Sequence, residues 1–203
     1  MLDNSLRRII DPPLTLLAWR LVGRVTPNQL TLGSFAIGLG AVVLIALECY
    51  WLGLVCIALN RLGDGLDGIL ARLVTHNESG SDFGGFLDLV CDFLFYAAVA
   101  AAFGLAQPEH AWVSLLLITS FVGTGSSFVA YAAIAEKRKI SRSSLQHKAL
   151  HYLGGLTEGT ETIFCFVLCC LFPHWFWLIG LVFALMCLVT LVTRCWRAKV
   201  DFA

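Results

Sequence analysis

Six stretches of mostly apolar residues, each near the ~20 needed to cross a bilayer's hydrocarbon core, constrain this chain more than any other feature. They run roughly over Leu30–Cys49, Trp51–Arg72, Gly84–Leu105, Trp112–Ala135, Tyr152–Phe172 and Trp175–Trp196. In lipid, a span must satisfy its own backbone polar groups, which only helices and closed barrels achieve. The period-two alternation of barrel strands is absent, so the pattern predicts an all-α integral membrane protein with six transmembrane helices. Composition agrees. Hydrophobic residues make up 58% of the 203 and charged residues 14%, against about 25% charged in an ordinary soluble domain. The formal net charge is zero, so no global field favours nucleic acid. A secretory signal peptide is not expected, because the first apolar stretch is short and Pro12-Pro13 interrupts the start of the chain.

Basic residues orient the spans. Arg7, Arg8, Arg20 and Arg24 precede the first span, and Arg72 closes the second. Lys137, Arg138, Lys139, Arg142 and Lys148 lie between the fourth and fifth, and Arg194, Arg197 and Lys199 end the chain. The other three connections, around Tyr50, Gln107–His110 and Pro173-His174, carry no Lys or Arg. All basic clusters thus fall on one side, which the positive-inside rule makes cytoplasmic, together with both termini. Trp51, Trp112, Trp175 and Trp177 mark the opposite interface. Before the first span, Leu6, Ile9, Ile10, Leu14, Leu17 and Leu21 recur at helical spacing among arginines, as in an amphipathic helix on the membrane surface. Pro12 and Pro13 are expected to kink that helix or start a new one. There is no internal repeat or linker. The expected organisation is one domain over 1–203, with a juxtamembrane surface helix in 1–27 and a six-helix bundle in 28–203. The eight cysteines include no CxxC pair, and Cys56, Cys91, Cys165, Cys169, Cys170 and Cys187 lie in apolar stretches. They read as buried thiols.

Polar residues interrupt this scheme at one place. Asp64, Asp67, Gly68, Ala71 and Arg72 fit within an arc of roughly 140° on a helix. Gly84, Asp88 and Asp92 follow at intervals of four and share a second face. A carboxylate at membrane depth costs roughly 2.5–3.5 kcal/mol even on insertion scales, and four together repel unless cations intervene. Oxygen-only ligands suit hard ions such as Mg²⁺ or Mn²⁺, and two close ions would fit phosphoryl transfer. Interhelical polar contacts or a proton or ion pathway would also employ buried aspartates. The clustering of four beside glycines and an arginine favours metal. Gly68 and Gly84 leave room for a nucleotide or a facing helix to approach the backbone. Arg61, one turn before Asp64, is expected to pair with Asp64 or with a carboxylate on another span.

The stretch resembles the signature of the CDP-alcohol phosphotransferases: Asp-x-x-Asp-Gly-x-x-Ala-Arg, a spacer, then Gly-x-x-x-Asp-x-x-x-Asp. Asp64, Asp67, Gly68, Ala71, Arg72, Gly84, Asp88 and Asp92 fill all its defined positions. Thr26-Pro27-Asn28-Gln29-Leu30-Thr31 looks like the motif that often precedes the family's first span. The resemblance implies that Asp64, Asp67, Asp88 and Asp92 hold two divalent ions, Mg²⁺ or Mn²⁺, which grip the donor's pyrophosphate. It implies that Asp92 is the general base for the acceptor hydroxyl. Asp64, Gly68, Arg72 and Ser81 would contact the cytidine nucleotide, with Asn28 and Thr31 as further candidates. Eleven residues separate Arg72 from Gly84, a longer spacer than the family usually has, which reads as a longer cytoplasmic loop.

By the same resemblance the chain is a phosphotransferase of phospholipid biosynthesis. It would move a phosphatidyl group from a CDP-alcohol, CDP-diacylglycerol first among them, to a small alcohol with release of CMP. A homodimer in a bacterial inner membrane, its active site facing the cytoplasm, belongs to the same expectation. An alternative exchanges the parts: CDP-choline or CDP-ethanolamine as donor and diacylglycerol as acceptor. A cation or proton transporter is the non-enzymatic alternative, but it predicts charges spread through the membrane depth. Tyr131–Glu136 and Gly154–Glu161 look like the acceptor-facing region of phosphatidylinositol-phosphate synthases. Gly159 and Thr162 stand where those enzymes carry arginine, which counts against inositol phosphate as acceptor. Glu158 and Glu161, one turn apart, are candidates for binding a headgroup, and Arg142 and Lys148, beside His147, for an acceptor phosphate.

Overall fold

A computed structural model describes residues 2–75, 81–138 and 157–203, with side chains from Pro12 onward except at 75. Among the described residues there is no strand. The helices are α1 (Leu2–Leu21), α2 (Pro27–Ala46), α3 (Tyr50–Thr75), α4 (Asp82–Ala106), α5 (Ala111–Lys137), α6 (Gly159–Leu171) and α7 (Phe176–Phe202), with short 3₁₀ turns at Pro108–His110 and Pro173–Trp175. They fall into two compact units, 1–102 and 103–203, with the boundary inside α4.

Helix starts follow local chemistry. Thr26 caps α2: its hydroxyl accepts from the Gln29 N–H at 3.3 Å, and the Gln29 side chain accepts from the Thr26 N–H at 3.0 Å. Pro27 follows at the first helical position, where its missing N–H costs nothing. The Ser81 hydroxyl accepts from the Gly84 N–H at 3.0 Å and begins α4. At the end of α2, Glu48 takes a left-handed conformation (φ 62°) and the Cys49 N–H reaches back to the Leu44 carbonyl.

In the first unit, α2 and α3 approach closely along small residues. A side chain at Gly63 would collide with Ser34, and one at Gly38 with Phe95 and Asn60. Close backbone approach through small residues is the usual basis of helix pairing in membranes. Ile45, Ile57, Leu70, Phe95 and Val99 fill the core. On the other side of α3, Leu14 and Ala18 of α1 pack against Leu66 and Ile69. The expected restart at Pro12 does not occur, since α1 runs through both prolines as one helix of 20 residues. Proline's fixed φ is itself helical, and the packing of Leu14 and Ala18 ties the segment beyond it to α3.

The second unit is organised by aromatic rings. Phe103 stacks on Phe176 with centroids 4.9 Å apart, and Phe121 meets Phe166 and Phe183 edge-on. Gln107 donates to the Pro173 carbonyl at 2.9 Å, joining the two 3₁₀ turns. Cys165, Cys169, Cys170 and Cys187 are buried here and Cys91 in the first unit. Cys56 is half-buried, and all eight cysteines are free thiols.

Four stretches are long and apolar enough to cross a membrane: Pro27–Ala46, Asp82–Ala106, Pro108–Lys137 and Pro173–Phe202. The two other expected spans differ. α3 has the length, at 26 residues, but Arg61, Asp64, Asp67 and Arg72 crowd it from Arg61 onward. The expected fifth span begins outside the described residues, and its described part, α6, has 13 residues. Large apolar side chains such as Val43, Trp51, Leu105, Val122 and Trp196 point outward on α-helices of both units, as lipid contact requires.

Candidate functional site

The second half of α3 and the first half of α4 carry the aspartates. One carboxylate oxygen from each of Asp64, Asp88 and Asp92 lies within 4.8 Å of the other two. Unit charges about 4 Å apart repel by about 4 kcal/mol at the effective dielectric found in proteins. Arg61 supplies part of the compensation. Its Nη2 donates to Asp92 Oδ1 at 2.8 Å, and its Nη1 lies 3.5 Å from Asp64 Oδ2. Both pairings expected of Arg61 are therefore present, one on its own helix and one on α4. A single guanidinium leaves the three carboxylates net negative. Asp88 Oδ1 is buried and finds no hydrogen-bond donor among the described residues. An all-oxygen donor set with an unpartnered buried carboxylate oxygen fits a hard divalent cation.

Asp67 stands apart from these three. It is buried, at 5% exposure, and accepts a hydrogen bond from the Thr31 hydroxyl of α2. With Asp88 it borders a cavity of about 270 Å³. Asn28 and Thr31 from α2, Gly68 and Arg72 from α3, and Ser81 from the start of α4 line this cavity. Five of the six residues expected at a nucleotide thus share one cavity. The sixth, Asp64, lies in the carboxylate cluster instead. Ser81 lines the cavity despite the long spacer, because capping α4 fixes it beside Gly84. A Cβ on Gly84 would come within 2.9 Å of the Ser81 hydroxyl and 3.3 Å of Asn28 Oδ1. A Cβ on Gly68 would meet only Arg72 Nη1, at 3.9 Å, so that backbone faces open space.

The cavity's electrostatics suit an anion at one end and a cation at the other. Pro27 and Asn28 at the start of α2 and Gly84 and Gly85 in the first turn of α4 line it, and a helix N-terminus carries a partial positive charge. Arg72 adds a full charge. Across the cavity, Asp67 and Asp88 lead to the carboxylate cluster.

The remaining expected site residues fare differently. Glu158 and Glu161 form a reciprocal capping box on α6, in which the Glu158 N–H donates to Glu161 Oε2 at 3.0 Å. This gives both carboxylates a structural task. Arg142 and Lys148 lie outside the described residues. Tyr131 donates to Asp201 Oδ2 at 2.7 Å, within the second unit. Arg194, read from sequence only as an orienting charge, is buried at 6% exposure and donates to the Thr124 carbonyl at 2.6 Å and the Ser127 hydroxyl at 3.1 Å.

Two residues at the aspartate cluster were not anticipated. The Tyr96 hydroxyl donates to Asp92 Oδ2 at 3.3 Å, and Asn60 Oδ1 accepts from Arg61 Nε at 2.9 Å. Tyr96 was findable, since it extends the Gly84–Asp88–Asp92 interval by four more residues. Asn60 had no signal beyond being a polar residue within a span.

Known proteins agree with the geometry. The family model for CDP-alcohol phosphatidyltransferase matches residues 24–196. The chain is 49% identical over 199 residues to the inner membrane protein YnjF of Escherichia coli K12, covering 97% of this chain and 94% of that one. It is 38% identical over 106 residues to the phosphatidylinositol phosphate synthase of Mycolicibacterium smegmatis, covering 48% of this chain and 46% of that one. It is also 29% identical over 172 residues to the bifunctional IPC transferase and DIPP synthase of Archaeoglobus fulgidus, covering 83% of this chain but 33% of that longer protein. A match across both units, apolar helices of membrane length and a carboxylate cluster beside an anion-suited cavity lead to one assignment: the chain is an integral membrane protein of the CDP-alcohol phosphatidyltransferase family.

Proposed function

We propose that this protein transfers a phosphatidyl group from CDP-diacylglycerol to a small alcohol and releases CMP. The observation that carries this reading is that Asp88 belongs both to the carboxylate cluster and to the lining of the cavity. Cytidine phosphate would lie in the cavity, against Gly68, with Arg72 and the starts of α2 and α4 on its charge and Asn28, Thr31 and Ser81 as polar contacts. Asp64, Asp67, Asp88 and Asp92 would hold two divalent ions, Mg²⁺ or Mn²⁺, beside the donor's diphosphate. Such ions neutralise the diphosphate and stabilise the departing CMP. Asp92 takes the proton of the acceptor hydroxyl as that oxygen attacks the lipid-side phosphorus. The new phosphorus–oxygen bond forms while the bond to CMP breaks, giving a phosphodiester.

A relative named phosphatidylinositol phosphate synthase supports a phosphatidyl group as the part moved, over the exchanged scheme with diacylglycerol as acceptor. The acceptor here is read as a small alcohol other than inositol phosphate, given Gly159 and Thr162. We read Glu158 and Glu161 as a helix cap rather than as acceptor contacts, on the strength of their reciprocal capping box. We take 1–203 as one domain of six spans, because the family match runs through both units. In this reading α1 lies on the cytoplasmic surface, with Leu16 and Trp19 exposed at 72% and 62% beside Arg20. Both termini and the site face the cytoplasm, and the homodimer implied by the family belongs to the same reading.

The test is direct. Purified protein with Mn²⁺ or Mg²⁺ and CDP-diacylglycerol should release CMP when offered the right member of a panel of small alcohols. No CMP from any pairing of donor and acceptor, CDP-choline and CDP-ethanolamine with diacylglycerol included, would overturn the reading.

A further inference from the structure

Asp92 is asked to do two things that compete. A carboxylate captured by a divalent ion is a poor base, because the ion draws on the same lone pairs that must take a proton. The surroundings of Asp92 bear on this conflict. Arg61 Nη2 donates to Oδ1 at 2.8 Å, and the Tyr96 hydroxyl donates to Oδ2 at 3.3 Å. Each carboxylate oxygen offers two lone-pair directions, so the chain itself takes one on each oxygen. Asp88, by contrast, keeps a buried oxygen with no donor among the described residues.

The guanidinium that does this is held from three helices. Its Nε donates to Asn60 Oδ1 at 2.9 Å, and Asn60 Nδ2 in turn donates to the Ser34 carbonyl of α2 at 2.8 Å. Its Nη1 reaches Asp64 and, at 3.4 Å, the Tyr96 hydroxyl. Its plane lies 5.2 Å from the Phe95 ring centroid and 5.7 Å from that of Tyr96. An arginine with every nitrogen engaged and a ring beside it on α4 is preorganised.

We propose that Arg61 is a positioning residue which, with Tyr96, limits how much of the Asp92 carboxylate a divalent cation captures, and so keeps a lone pair of Asp92 open for the acceptor's proton. This rests on the reading of Asp92 as the base. A cation gripping both Asp92 oxygens must displace these donors or share each oxygen with one of them, and it must do so beside a fixed positive charge. Arg61 therefore lowers cation affinity and raises turnover. A residue that merely held the fold together would support both.

The opposite signs make the test. In purified protein without substrate, Arg61→Gln should bind Mn²⁺, measured by electron paramagnetic resonance, about tenfold more tightly than the wild type. The same variant should lose about tenfold or more in kcat, with KM for CDP-diacylglycerol within about threefold. Arg61→Lys keeps the charge and should return Mn²⁺ affinity to the wild-type value while recovering part of kcat. Mn²⁺ binding by Arg61→Gln that is unchanged or weaker, or an unchanged kcat, overturns the proposal. If Arg61→Gln does not fold, Tyr96→Phe decides. A drop in kcat of about threefold or more with Mn²⁺ bound more tightly supports the clamp, and an unchanged kcat, or Mn²⁺ affinity that is unchanged or weaker, refutes it. A wild-type protein silent with every donor and acceptor would sink the proposed reaction, while the substrate-free Mn²⁺ comparison still tests Arg61.

Discussion

At the scale of single residues, the cluster separates four aspartates that look equivalent in sequence. Asp64, Asp88 and Asp92 converge, whereas Asp67 is held by Thr31 at the cavity edge. Asp92→Asn keeps the shape and the Tyr96 contact but removes the proton acceptor. It should lower kcat by about a hundredfold or more while donor binding, read by CDP competition, stays nearly constant. Unchanged turnover would take the base role from Asp92. Gly68 gives a second test. A side chain there enters open cavity rather than packed protein, so Gly68→Val should weaken cytidine nucleotide binding by about tenfold and leave thermal unfolding in detergent almost unmoved. The aspartates, Gly68 and Arg72 were legible from sequence because helical spacing alone decides which residues share a face. Tyr96 was legible in principle by the same spacing. Asn60 was not, since its use depends on where the Ser34 carbonyl of another helix lies.

Helix ends carry more of the meaning at the scale of elements. The Thr-Pro-Asn-Gln run is first of all a helix start, and the Thr26 cap points the beginning of α2 into the cavity. Ser81 does the same for α4. Glu158 and Glu161 look in sequence like buried carboxylates awaiting a ligand, and the structure makes them a cap. Glu161→Ala should cost about 1 kcal/mol of stability and leave CMP release intact; loss of activity at unchanged stability would restore an acceptor role. Gly23 isolates a backbone effect. It has φ 76° and nothing near a Cβ, so Gly23→Ala should destabilise by about 1 kcal/mol through conformation alone, seen as a lower unfolding temperature. The helix restart expected at Pro12 does not occur because a proline's effect on a helix depends on what holds the helix beyond it, here Leu66 and Ile69 of α3.

For the whole molecule, the distribution of Lys and Arg yields a topology that chemistry can check. Cys49, in the α2–α3 turn, is exposed. A membrane-impermeant maleimide should label it in spheroplasts, while a cysteine placed by Ala203→Cys should react only after lysis. The reverse pattern would invert the assigned orientation. Span number was legible in part, with four apolar stretches long enough to cross. α3 concentrates its charges from Arg61 onward and so departs from an apolar span in composition, although its length and its packing on α2 suit one.

Sequence by itself determined the helical class, the membrane setting and the two polar faces, because spacing along a helix and the cost of bare charge in lipid are local properties of the chain. It also carried the family, since all the signature positions lie on those two faces. Only the tertiary structure decided which aspartates meet, that five distant residues enclose one cavity, and that Arg61 and Tyr96 grip Asp92 between them. Those facts depend on the register between helices, which the packing of Gly38 and Gly63 against their neighbours sets and which no single helix encodes.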